Sequence, residues 1–240
     1  MLKREGDCSL RHAPCSTFKI PISLMGFDQE ILLDETHPEL PFKEEYSAWL
    51  ETWKQSFHPS LWFKYSCVWF SWYVTEKLGM SKFKDYIEKF NYGNKDLSGD
   101  KGRNNGLTNA WLSSSLEVSP EEQIEFLKKL LNDQLPVSPK AHQMTKNILF
   151  LEELIDGWKL YGKTGSGSPL SKDRMTKLQD KKTGWYVGWL ENEDRKIVFT
   201  NYIEFETKEK IFGGPRSKKI TKEKLLQIVT NSQSEMTNEL

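Results

Sequence analysis

Cysteine and histidine are scarce in this chain of 240 residues, which holds Cys8, Cys15 and Cys67 and four scattered histidines, His12, His37, His58 and His142. No Cys-x-x-Cys spacing and no Cys/His cluster occurs, so the sequence predicts a site without a metal. An odd number of cysteines cannot pair completely, and Cys8 with Cys15 would bridge only in an oxidising compartment. Charge of one sign is not in excess either: 34 basic side chains stand against 34 acidic ones. That balance gives no reason to expect nucleic acid or an anionic membrane surface as partner. No apolar run approaches the roughly 18 residues of a membrane span. The segment Met1 to Asp7 lacks the apolar core of a signal peptide. Abundance lies elsewhere, in nine Trp and thirteen Phe, which predict an aromatic interior and deep pockets.

The stretch Pro14-Cys15-Ser16-Thr17-Phe18-Lys19-Ile20 places a hydroxyl and an amine three residues apart at the start of a very apolar segment. Positions i and i+3 share a helix face, and a helix N-terminus leaves backbone N–H groups unpaired nearby. Serine is a poor nucleophile until a neighbour removes its proton, and lysine can do so only when neutral. Burial supplies that neutrality: Phe18, Ile20, Ile22, Leu24 and Met25 leave the segment almost no polar face, and desolvation lowers a lysine pKa. Ser-x-x-Lys recurs at Ser81–Lys84 and Ser98–Lys101, where a helix cap and a polar loop account for it. Alone, Ser16 would also read as an ordinary N-cap; its apolar surroundings set it apart.

Further along, Asp28 to Tyr46 is broken by Pro38 and Pro41 and reads as irregular chain. From Ser47 the spacing of Trp49, Trp53 and Phe57 predicts a helix with a buried aromatic stripe. A buried helix is expected over Ser66 to Val74, and Ser81 is expected to cap the next, with Phe83, Tyr86, Ile87 and Phe90 inward. Asn91 to Ala110 is a Gly- and Asn-rich loop ending at Trp111-Leu112. Ser119-Pro120-Glu121-Glu122 is a capping box with proline at the first helical position, and a further helix is expected from Pro139 to about Leu149. Lys159–Gly165, Gly184–Leu190 and Lys196–Ile203 predict an antiparallel meander with its last turn at Glu191–Asp194. A helix from near Thr221 closes the chain. Helices in the middle and strands late, without β-α-β alternation, point to α+β. The expected organisation is a single domain over 1–240, with a helical lobe at about 28–156 and a sheet lobe at about 157–240 that includes the N-terminal segment.

Ser16-Thr17-Phe18-Lys19, Ser66-Cys67-Val68, Tyr92-Gly93-Asn94, Trp111-Leu112 and Lys163-Thr164-Gly165, in that order, resemble the signature of the class D β-lactamases, the oxacillinases of the serine penicillin-recognising superfamily. Lys-Thr-Gly occurs twice; Lys182-Thr183-Gly184, beside Asp180 and Lys181, reads as a solvated hairpin, and the role falls to Lys163. The resemblance implies a β-lactamase/transpeptidase-like fold, an antiparallel sheet flanked by helices plus an all-helical lobe. It implies hydrolysis of β-lactams, penicillins among them, through an acyl-enzyme on Ser16. Lys19 would be the base, carrying carbon dioxide as a carbamate, with Val68 as its wall and Trp111 as its donor; no other cofactor is implied. Ser66 would relay a proton to the leaving nitrogen, while the N–H groups of Ser16 and Ser166 cradle the oxyanion. Lys163, Thr164, Gly165 and Arg216 would hold the substrate, with Tyr92-Gly93-Asn94 as a wall. A periplasmic location and a monomer or homodimer are expected. Only fifteen residues precede Ser16, fewer than in the family, which predicts a sheet lacking one or two early strands and having an open edge. The alternatives in function are a β-lactam sensor domain, or a degenerate copy, acylated without turnover.

Overall fold

The structure is a computed structural model that describes residues 3–237, with side chains to residue 230. A 3-10 turn at Cys15–Phe18 runs directly into α1 (Lys19–Asp28). Every residue of α1 from Lys19 to Phe27 is buried, as expected of a helix that is apolar all round. Pro21 falls in its first turn, where intrahelical N–H partners are missing anyway, so it removes no hydrogen bond of the helix. α2 (Pro59–Tyr65), α3 (Val68–Leu78), α4 (Met80–Phe90), the single turn α5 (Gly106–Asn109), α6 (Pro120–Leu131) and α7 (Pro139–Leu149) follow. α1 packs against α7 on one side and α3 on the other. At α6 the capping box forms as expected: Ser119 Oγ accepts from the Glu122 N–H at 3.1 Å, and the Glu122 carboxylate accepts from the Ser119 N–H at 2.8 Å.

Four antiparallel strands are ordered β1-β2-β3-β4 among the described residues: β1 (Phe150–Glu153), β2 (Lys159–Gly167), β3 (Lys181–Asn192) and β4 (Arg195–Glu206). β3 is buried from Thr183 to Leu190 because both faces are covered. Trp185, Val187 and Trp189 face the main core with α1, whereas Tyr186 and Leu190 join Leu160, Phe199, Leu225 and Val229 under α8 (Gly213–Thr237). Gly184 and Gly213 let α8 begin directly on β3: a Cβ on Gly184 would lie 2.1 Å from the Gly213 carbonyl oxygen. The α+β class and the three-strand meander agree with the sequence. The last turn narrows to Glu193-Asp194, since Asn192 and Arg195 still pair.

Several local expectations fail. Trp49, Trp53 and Phe57 do not lie on a helix; only Glu51–Trp53 makes a 3-10 turn, and Trp49 is 57% exposed. Ser66 is not inside a helix but caps α2 in the left-handed region at φ +57°. Gly79, not Ser81, begins α4. α8 starts eight residues before Thr221. β1 is a strand that the sequence hides, because Phe-Leu-Glu-Glu continues α7 without alternation and pairs with β2 only from Lys159 to Tyr161. No disulfide joins the three cysteines: Cys15 and Cys67 are buried free thiols, and Cys8 points at the Glu5 and Gly6 carbonyls.

Ser119→Ala removes one half of the α6 capping box. It should lower the unfolding free energy by about 1 kcal/mol in urea titration, with an unchanged m-value.

Candidate active site

β1 leaves β2 after Tyr161, so the edge of β2 from Gly162 to Gly167 has no strand beside it on that side. The Cys15–Phe18 turn takes that place. A Cβ on Gly165 would lie 2.8 Å from the Pro14 carbonyl oxygen and 3.3 Å from Thr17 N, so glycine is what lets strand and turn touch. Four hydrogen bonds fix the turn. Cys15, itself left-handed at φ +51°, donates its N–H to the Trp111 carbonyl at 2.9 Å. Thr17 Oγ1 donates to the Pro14 carbonyl at 2.7 Å and accepts from Gln123 Nε2 at 3.0 Å. Trp185 Nε1 donates to the Ala13 carbonyl at 2.9 Å.

On this turn Ser16 presents its Oγ 3.3 Å from Lys19 Nζ, the i to i+3 pair that the sequence singled out. Lys19 is fully buried, and burial pulls its pKa down to about 8, only partly opposed by the nearby thiols of Cys67 and Cys15. Among the described residues no carboxylate pairs with it. Lys163, also buried, donates to Ser66 Oγ at 2.6 Å and to the Thr164 carbonyl at 3.1 Å. Desolvation holds its pKa well below the ordinary lysine value, and the positive charges of Lys19 and Lys218 push it the same way. Ser66 and Cys15, both in the left-handed region, are the strained residues flanking this chemistry.

Trp111 is buried against Phe18, ring centroids 5.3 Å apart, and its Nε1 donor has no partner among the described residues. Val68, at the first turn of α3, is buried. An unpaired buried donor and a buried amine without a counter-ion are the two deficits that an anionic group on Lys19 would relieve, so the pocket fits a carbamate. Tyr92 packs edge-on against Phe18 and Phe126, and Asn94 pins the loop through the Ser115 carbonyl at 2.8 Å and the Glu117 N–H at 3.0 Å. Tyr92-Gly93-Asn94 is thereby packed behind Phe18, two residues along the chain from Ser16.

Thr164 pairs with Tyr186 across the sheet, and a Cβ on Gly214 would come within 3.0 Å of Thr164 Cβ. Ser166 Oγ accepts from the Gly214 N–H at 2.9 Å, tying the end of β2 to the start of α8. Arg216 is not brought into this cluster: its guanidinium lies 4.4 Å over the Phe205 ring and is exposed. Lys182 is not a solvated hairpin residue. It lies inside β3, half-buried, and with Trp49 and Phe212 lines a cavity of about 210 Å³ beside Ser166. The sequence also offered no signal for Gln123, whose bond to Thr17 joins residues 106 positions apart.

Gly165→Ala should force the β2 edge off the turn. A loss of about 1–3 kcal/mol in unfolding free energy is expected by urea titration, since the obstruction is backbone rather than a movable side chain.

The penicillin-binding protein transpeptidase domain model matches residues 3–226. Beta-lactamase OXA-9 of Klebsiella pneumoniae is 41% identical over 220 residues, covering 90% of this chain and 79% of that protein. Beta-lactamase OXA-1 of Escherichia coli is 42% identical over 201 residues, 83% of this chain and 69% of that one. The crystal structure of the OXA-427 class D β-lactamase superposes with a TM-score of 0.89 at 43% identity, covering 95% of this chain and 93% of the other. With a part-buried Ser-x-x-Lys pair against an antiparallel sheet and this degree of likeness, the chain belongs to the class D β-lactamase family.

Proposed function

We propose that the protein is a serine β-lactam hydrolase that works through an acyl-enzyme on Ser16. The observation that carries this reading is the 3.3 Å contact between Ser16 Oγ and a Lys19 amine whose pKa burial lowers to about 8. Ser16 Oγ attacks the strained lactam carbonyl carbon as its proton passes to the Lys19 end of the pocket. The negative charge on the carbonyl oxygen is met by the backbone N–H groups of Ser16 and Ser166, each such donor contributing about 2.7–4 kcal/mol. The ring C–N bond then breaks, and Ser66 delivers a proton to the leaving nitrogen. Lys163 Nζ, 2.6 Å from Ser66 Oγ, orients that hydroxyl and makes good its proton. Lys163, Thr164 and the close approach at Gly165 hold the substrate carboxylate. Water attacks the resulting ester on the same face and frees Ser16.

Carbon dioxide bound to Lys19 as a carbamate would supply an anionic base in place of a weakly basic amine. Trp111 Nε1, buried and unpaired, is the donor available to hold it, and Val68 keeps the pocket dry. Arg216 is less suited to the carboxylate than its sequence position suggested, because it is stacked on Phe205. The proposed setting is the periplasm, as in the family; among the described residues no helix is long and apolar enough to cross a membrane.

Continuous release of product from a chromogenic cephalosporin, far beyond one equivalent of protein, is the expected result. A burst that stops at one equivalent would sink hydrolysis in favour of a sensor. Lys19→Ala should reduce turnover by at least about a thousandfold while leaving the fold intact by circular dichroism, since a missing base cannot be replaced by apolar neighbours. The intact protein should depend on bicarbonate more strongly as pH falls. Below about pH 8 each unit leaves roughly a tenth as much neutral Lys19 amine to combine with carbon dioxide. Assays in carbon dioxide-free buffer, with and without added bicarbonate, between about pH 6 and 8.5 test this; equal rates throughout would remove the carbamate from the scheme.

A further inference from the structure

The chemistry above uses the middle of β2 and leaves two cations at its C-terminal end without a role. Lys177 and Lys182 both line the cavity of about 210 Å³ beside Ser166, Gly167 and Ser168, and no acidic side chain lines it. Lys182 Nζ donates to the Gln179 carbonyl at 2.9 Å and to Ser168 Oγ at 3.4 Å; Lys177 Nζ donates to the Leu112 carbonyl at 2.9 Å. An ammonium group has three donors, so each keeps at least one unspent, and neither has an ion-pair partner among the described residues. Asp100 is near enough to feel Lys177, but its carboxylate is held by Asn105 and Asn109 at 3.0 Å each. Trp49 and Phe212, each 57% exposed, form the apolar sides of the same cavity.

The chemistry of the substrate class says what reaches this place. A penicillin carries its ring carboxylate on one side of the lactam carbonyl and its acylamino side chain on the ring carbon on the other side. With the carbonyl at Ser16 and the ring carboxylate at Lys163 and Thr164, the side chain must run along β2 past Ser166 towards Ser168. Two incompletely used cations between aromatic walls suit a side chain that combines an aryl group with an anion.

We propose that Lys182, assisted by Lys177, makes this cavity favour penicillins whose acylamino side chain bears a second carboxylate. The inference rests on the hydrolase reading only for the direction in which the substrate lies. Lys182 lies at the mouth, half-buried, where a charge-assisted hydrogen bond is partly screened by solvent. It therefore acts on the choice among substrates and not on the bond-breaking step.

Benzylpenicillin and its α-carboxy analogue carbenicillin differ by that one carboxylate, so the ratio of their kcat/KM values isolates its recognition. Lys182→Gln should lower the carbenicillin-to-benzylpenicillin ratio roughly fivefold, and Lys182→Glu should lower it further. In the unmodified protein, raising NaCl from about 0.05 to 0.5 M should lower the same ratio through screening; this arm does not depend on any variant folding. A ratio that stays within twofold across both variants, or that ignores salt, overturns the proposal. Where turnover is absent but acylation is seen by intact mass, the ratio of acylation rates is read instead, so failure of hydrolysis and failure of this pocket remain separate results. Absence of acylation by either compound overturns both.

Discussion

A primary amine held out of water beside a hydroxyl is the constraint to which the rest of the molecule answers. Lowering the Lys19 pKa from 10.5 to about 8 corresponds to on the order of 3 kcal/mol against the charged form. That penalty arises because α1 is buried on every face from Lys19 to Phe27 and packs against α3 and α7, which keeps water from solvating the ammonium. The core must therefore be assembled around α1 before the site has any chemistry. This explains why Ser16 lies on a turn leading into a helix buried from Lys19 to Phe27 and not on a surface loop.

A second buried lysine makes the arrangement work. Lys163 comes from the sheet and meets Ser66, which comes from the helical part of the chain, so the 2.6 Å contact is also a tie between the two sides of the cleft. The positive charge of Lys19 adds to burial in depressing the affinity of Lys163 for a proton. The glycines decide how closely the two sides approach. Gly165 admits the Pro14–Thr17 backbone to the β2 edge, and Gly184 with Gly213 seats α8 on β3. In both places backbone faces backbone, where a side chain has no room to move aside. Trp111 adds a buried indole donor that no acceptor among the described residues satisfies.

Local signals in the sequence were dependable where local physics decides the outcome. The Ser119 capping box, the inward face of α4 and the Glu193-Asp194 turn each follow from residues within a few positions of one another. The Ser16–Lys19 pair was legible for the same reason, since helical spacing alone brings i to i+3, and its burial could be read from the apolar residues around it. Where packing decides, spacing misled. Trp49 and Trp53 stand four apart, yet only Trp53 lies on the short 3-10 turn Glu51–Trp53, and Trp49 is left in solvent. The β1 strand has only four residues and owes its existence to the β2 edge it finds, not to any β pattern of its own.

The ordered motifs by themselves determined the family and the pairing of Ser16 with a buried Lys19, because covalent spacing and hydrophobic burial are properties of short stretches. Only the tertiary structure decided which cations share the cleft. Arg216 and Lys182 carry similar charge and similar local sequence polarity, but one stacks on Phe205 and the other lines the cavity beside Ser166. That choice depends on where α8 settles on β3 and how far β2 extends past its neighbour. Both are contacts between residues dozens of positions apart, which no window of sequence contains.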